Sequence, residues 1–140
     1  MRDVEVYDPT TESVSCSSPP PPLDQDWSGH TSFTHHGTIY MCGGDFTEYI
    51  CLSLDSQQNT WTTHTLAEGR YGHSAIIMYN TLYIIGGASH EYPGAVSTPL
   101  PLTENPVLTP VPNLTYKGWG QCTVQIDQES FIITGGKIFR

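Results

Sequence analysis

The sequence predicts an all-β protein built from repeats, and three observations carry that prediction. No window of the 140 residues places apolar side chains at i, i+3, i+4 and i+7, the pattern a helix needs to bury one face. Short runs rich in Ile, Val, Thr, Tyr and Phe alternate instead with clusters of Gly, Pro and Asn, as strands alternate with turns. One spacing also recurs: His30 to Gly43 is 13 residues, and so is His73 to Gly86. A weaker third copy has Gln121 in the histidine position and closes at Gly135-Gly136, so the Gly-Gly pairs step along the chain by 43 and then 49 residues. Self-similarity at that period marks a repeat architecture.

Each repeat reads as four short strands, a to d. In the first, "GHTSFTHHGTIYMCGG" supplies strands a and b, "EYICLSLD" strand c and "TWTTHTL" strand d. In the second, "GHSAIIMYNTLYIIGG" supplies a and b, with "GAVSTPLPL" and "NPVLTPVPNL" for c and d. Four consecutive antiparallel strands describe a propeller blade, which must bury both faces against neighbouring blades. Gly43-Gly44 and Gly86-Gly87 end strand b, where the chain turns or another backbone approaches closely. Gly29, Gly72 and Gly120 precede strand a on the crowded inner side. His30 and His73 recur at matched positions, which predicts a scaffold role, because catalytic groups usually occur once.

Taken together, these stretches resemble the Kelch repeat. The resemblance rests on "RYGHSAIIMYNTLYIIGG" at 70–87, "GHTSFTHHGTIYMCGG" at 29–44, "VEVYDPTT" at 4–11 and "NTWTTH" at 59–64, the last carrying Trp61. It covers nearly the whole chain and fades at 95–121, where strand d has no Trp and Gln121 replaces the histidine. The resemblance implies a Kelch-type β-propeller fragment of about three blades' worth of four-stranded antiparallel units. Residues 3–18 would be strands c and d of one blade, 28–67 and 72–113 two whole blades, and 118–136 strands a and b of another. Propellers usually have four to eight blades, so these units do not close a ring. The expected explanation is a piece of a longer protein or a truncated remnant. A second is self-association, in which two copies complete each other's half-blades into a six-bladed ring. A third is an open stack with exposed strand edges.

Composition limits the partners. A net charge of −9 with only five Lys and Arg argues against nucleic acid and against an anionic membrane surface. No apolar stretch approaches the roughly 20 residues of a membrane-spanning helix. The N-terminal "MRDVEVYDPTTES" is polar and does not read as a signal peptide.

The remaining motifs divide between scaffold and surface. Cys42 and Cys51 fall on adjacent strands of one hairpin, where either a disulfide or two buried thiols fits. Cys16 and Cys122 have no evident partners, and no C-x2-C spacing suggests zinc. Asn113-Leu114-Thr115 is a glycosylation sequon in the expected d–a loop of the second blade. The sequon and the candidate disulfide lean towards an extracellular setting. His35-His36 reads as the a–b turn rather than a metal site, since neighbours on a strand point to opposite faces. "PPPP" at 19–22 reads as a stiff connector rather than a polyproline ligand. No G-x-S-x-G, H-E-x-x-H or P-loop occurs, and no cofactor is expected.

Kelch propellers use the b–c and d–a loops as one binding face. Carried over by position, the resemblance places Asp45, Phe46, Glu48, Glu68, Arg70, Tyr71, Glu91, Tyr92, Lys117 and Trp119 there. Aromatic and cationic residues of this kind are enriched at interaction hot spots, although Tyr71 and Trp119 are equally suited to packing between blades. The expected function is a non-catalytic scaffold for a protein partner, with a carbohydrate-binding or carbohydrate-processing propeller as the alternative.

Overall fold

The computed structural model describes residues 4–14, 20–66, 68–79, 81–90, 98–100, 118–127 and 129–138. No helix occurs among them. The strands are β1 (Tyr7–Asp8), β2 (Ser13–Val14), β3 (Thr31–His35), β4 (Thr38–Cys42), β5 (Ile50–Asp55), β6 (Thr60–Thr65), β7 (Ser74–Met78), β8 (Thr81–Ile85), β9 (Thr98–Leu100), β10 (Gly118–Gln125) and β11 (Phe131–Ile138). All pairings are antiparallel between sequence neighbours, giving sheets β1-β2, β3-β4-β5-β6, β7-β8-β9 and β10-β11. The expected all-β class is observed, as several small sheets that do not close on themselves. The stretch predicted as a fourth strand at 105–114 lies outside the described residues.

Strand alternation explains how the sheets stack. In the first four-stranded sheet, Phe33, Tyr40, Cys42 and Cys51 face one way, here called forward, and Ile39, Met41, Ile50, Leu52 and Trp61 face rearward. The forward set packs against Ala75, Ile77, Leu82 and Ile84 of β7 and β8, with Leu66 in the same cluster. Ile76, Met78, Tyr83 and Ile85 point forward from the second sheet and meet Phe131 and Ile133 of β11. Burying a side chain such as Leu82 or Ile84 completely contributes about 1.5–3 kcal/mol relative to exposure.

The rear face of the first sheet is covered differently. Leu23 and Trp27 pack on Leu52, joined by Val4, Met41, Ile50 and Trp61. Trp61 Nε1–H donates to the Pro21 carbonyl at 2.9 Å. Pro21 thus lies against the sheet, and the segment that follows it covers an apolar surface.

Backbone hydrogen bonds link one sheet to the next, and they repeat. Gly72 N–H donates to Gly29 C=O, and Gly120 N–H to Gly72 C=O, both at 2.7 Å. Gly44 N–H donates to Arg70 C=O and Gly87 N–H to Gly118 C=O, both at 2.8 Å. Within each repeat the hairpin register also extends alike, Asp45 N–H reaching Ser28 C=O as Ala88 N–H reaches Tyr71 C=O. Equivalent atoms thus make equivalent bonds at each step, so the periodicity of the sequence is a periodicity of contacts.

The double glycines have a specific reason to lack side chains. Gly43 sits at φ +65°, and a Cβ there would collide with the Arg70 carbonyl and the His73 ring. Gly86, at φ +64°, is filled in the same way by the Gln121 side chain and the Gly118 carbonyl. The residue in the histidine position of one repeat therefore plugs the first glycine of the repeat before it.

The hairpin β1-β2 matches β5-β6. Tyr7 pairs with Val14 as Leu54 pairs with Trp61, and Asp8 with Ser13 as Asp55 with Thr60. Asp8 Oδ1 accepts from Thr10 N–H at 2.8 Å, and Asp55 Oδ1 from Gln57 N–H at 2.8 Å. Glu12 and Asn59, at corresponding turn positions, both have positive φ. Val4 thereby corresponds to Cys51.

Candidate functional site

Three loops converge at one end of the stack. They are 45–49 between β4 and β5, 68–71 between β6 and β7, and 88–90 after β8. Glu48 ties them together. It is buried, and its carboxylate accepts from Ser89 Oγ and from His90 N–H, each at 3.2 Å. The same carboxylate pairs with His90 Nδ1. Its backbone carbonyl accepts from Arg70 N–H at 3.1 Å. Gly69 lies tight against Glu48 and Tyr49, where a Cβ would be within 2.8 Å of both side chains. One acidic side chain thus fixes the loop of the first repeat to the loop of the second.

Arg70 is almost fully buried, at 1% exposure, and its guanidinium meets Glu68 at 2.9 Å. It serves to hold the loop from within. Phe46 is the opposite case, 84% exposed at the tip of the 45–49 loop. Asp45 is half-buried beside it, and its N–H is bonded to Ser28. Tyr71 is half-buried, lies over Gly29 and tilts against the His90 ring at 5.3 Å between centroids. Trp119 covers Gly72 in the same way and receives Lys137 Nζ over its ring at 5.2 Å. The two aromatics therefore combine packing between sheets with partial exposure. Glu91, Tyr92, Asn113, Cys16 and Lys117 lie outside the described residues.

Cys42 and Cys51 form a disulfide with Cα atoms 4.0 Å apart, both sulfurs in the buried layer between the first two sheets. Cys122 is an exposed thiol. His73 is buried, with its ring set over Gly43. Burial pushes its imidazole down to about 4, the nearby Arg70 charge adds to that, the Cys42 carbonyl opposes it, and His30 adds a little more. His30 is half-buried and is also shifted down by burial, with its ring edge-on to Trp27 and Nδ1 unpartnered. His73 thus fills the space over Gly43, while His30 stands against Trp27 and Gly44.

At the opposite end, His36, Tyr40, Ser53, Asp55 and Gln57 line an open polar cleft of about 540 Å³. His36 sits in the β3–β4 turn with φ 47° while His35 ends the strand. No group of three or more metal-ligating side chains gathers among the described residues.

Thr47, Ser89 and His90 lie within the predicted loops 45–49 and 89–92, but the sequence does not single out the part they play. His90 stands three residues after Gly87, as Thr47 stands three after Gly44, whose hydroxyl donates to the Gly43 carbonyl at 2.8 Å. That matched offset was available as a signal. The cross-repeat bond from Glu48 was not, since it depends on how the sheets stack. A scan against protein-family models returns no match, and a search of curated proteins returns none either.

Proposed function

We propose that the chain is a Kelch-type propeller module that binds a protein partner, without catalysis, through the loop end built by residues 45–49, 68–71 and 88–90. The interlocking of successive repeats through Gly-Gly and His supports the Kelch reading. The observation that carries the binding reading is the contrast within that loop end. Its base is tied by Glu48, Ser89, His90 and the buried Arg70, while Phe46 projects from it at 84% exposure. A large aromatic on a pre-ordered loop can be buried by a partner with little further ordering of the chain. The acidic balance favours a partner surface carrying Lys and Arg.

The test is a binding screen of the purified chain against a displayed peptide and protein library, with Phe46→Ala as comparator. Hits that weaken at least tenfold with Phe46→Ala, and no binding on a glycan array, support the reading. Glycan binding that Phe46→Ala abolishes would replace it with the carbohydrate reading. Hits indifferent to Phe46 would move the binding surface elsewhere.

A further inference from the structure

Among the described residues two stacking steps are filled, and a third position is built like them but left exposed. Phe33, Tyr40 and Cys42 in the first sheet correspond to Ile76, Tyr83 and Ile85 in the second, and each set is covered by the rear of the next sheet. By the same register they correspond to Val124, Ile132 and Thr134 of β10 and β11. Val124 and Ile132 are 58% and 53% exposed, whereas Tyr83 is 4%. The space over Gly135 is likewise open, with nothing within 4 Å of a Cβ, while its counterparts Gly43 and Gly86 are filled by His73 and Gln121.

The complementary surface exists on the same chain. Ile39, on the rear of the first sheet, corresponds to Leu82, yet it is 42% exposed where Leu82 is 0%. His30 corresponds to His73 and Gln121, but among the described residues no Gly-Gly of another repeat lies opposite it. Hairpin β1-β2 corresponds to β5-β6, and β10-β11 to β3-β4. Among the described residues each is a two-stranded sheet. Transferring the β4-β5 register pairs Thr134 with Val4 and Ile132 with Val6, as Cys42 pairs with Cys51 and Tyr40 with Ser53. Among the described residues, six of the nine large apolar side chains left exposed are Val6, Tyr7, Val14, Ile39, Val124 and Ile132, and all lie on these surfaces.

We propose that two copies of this chain associate reciprocally, β11 of each pairing with β1 of the other to complete a four-stranded sheet. That sheet covers Ile39 with Val124 and Ile132 and places His30 over Gly135. The occupant is a second copy because plug, socket, register and apolar patch are all specified on one chain. Two such contacts related by a two-fold axis close the assembly and leave no end free to polymerise. The inference does not depend on what the loop end binds.

The experiment uses residues 1–140 with Cys16→Ser and Cys122→Ser. Light scattering after size exclusion is expected to give twice the 15.5 kDa chain mass, and Ile132→Asp to give the single mass with an unchanged β spectrum. Val4→Cys with Thr134→Cys, placed at the Cys42–Cys51 positions, is expected to form an interchain disulfide on mild oxidation. Val6→Cys with Thr134→Cys, out of register, is expected to form at least tenfold less. If Ile132→Asp does not fold, the cross-linking contrast decides. A folded monomer, an aggregate without defined mass, or equal cross-linking of the two pairs overturns the proposal.

Discussion

His73 and Gln121 occupy one position in two successive repeats, and the difference between them is chemical. Gln121 donates its amide to the Ile85 carbonyl over Gly86, while His73 fills the space over Gly43 as a neutral ring. The unfolded chain protonates that imidazole near 6.5 and the folded chain only near 4. Above about pH 6.5 both states are neutral and the site costs nothing. As pH falls from 6.5 to 4 the unfolded state takes up the proton first, so stability declines, by roughly 3 kcal/mol at the lower end. Urea unfolding at pH 7.5 and 5.0 is expected to show about 2 kcal/mol of this loss in the wild-type chain. His73→Gln, the residue already used in the next repeat, should remove most of the dependence. The glycine beneath gives a second prediction. Gly43→Ala faces both a collision and a positive φ and should cost more than about 2 kcal/mol, whereas Gly37→Ala, at φ +78° in open space, should cost about 1. Chemical denaturation of both variants checks the difference.

Hairpins and loops add stability of another kind. The Cys42–Cys51 bridge joins directly paired residues of β4 and β5 across a short loop. Closing such a loop in the unfolded chain is worth about 2–3 kcal/mol, so reduction should lower the unfolding midpoint by a corresponding amount. Both sulfurs are fully buried, so a reductant should act only after local opening, and the rate of thiol appearance will report that opening. The bond from Glu48 to Ser89 and His90 joins loops of two sheets. Glu48→Ala leaves those donors to water at a cost of about 1–2 kcal/mol, and hydrogen exchange should rise at 88–90 before it rises in β7 or β8. Most of this element structure was legible. The runs "TSFTH", "TIYMC", "ICLSLD" and "TWTTHT" alternate well enough to be read as strands, and β3 to β6 lie where they were expected. The use of residues 20–27 as a cover was not legible, because Leu23 and Trp27 have no strand or helix period to betray a buried face.

Among the described residues, three of the four sheets stack in sequence order through two shared apolar layers, and the loop end follows from that order. Phe46→Ala should leave the unfolding midpoint within about 0.5 kcal/mol of wild type, because the ring is exposed, while removing the largest apolar feature of the proposed binding end. Thermal or urea unfolding measured alongside the binding screen separates the two effects. Arg70 shows why the candidate site was only partly legible. Its charge and its place beside an aromatic marked it as a surface contact, yet the stack buries it against Glu68 and the chain behind it.

The amino-acid order settled the class of fold, the positions of the strands and the repeat, because strand alternation and the need for glycine at crowded turns are local constraints written into short windows. It also put Cys42 and Cys51 on adjacent strands of one hairpin, while their direct pairing and the disulfide were decided by the folded register. The tertiary structure decided which members of the repeated set are buried and which are exposed. Tyr83 and Ile132 hold the same place in their sheets, and only the presence of a covering sheet separates 4% exposure from 53%. Burial depends on what lies alongside, and contacts between sheets some 40 residues apart leave no mark in any one window.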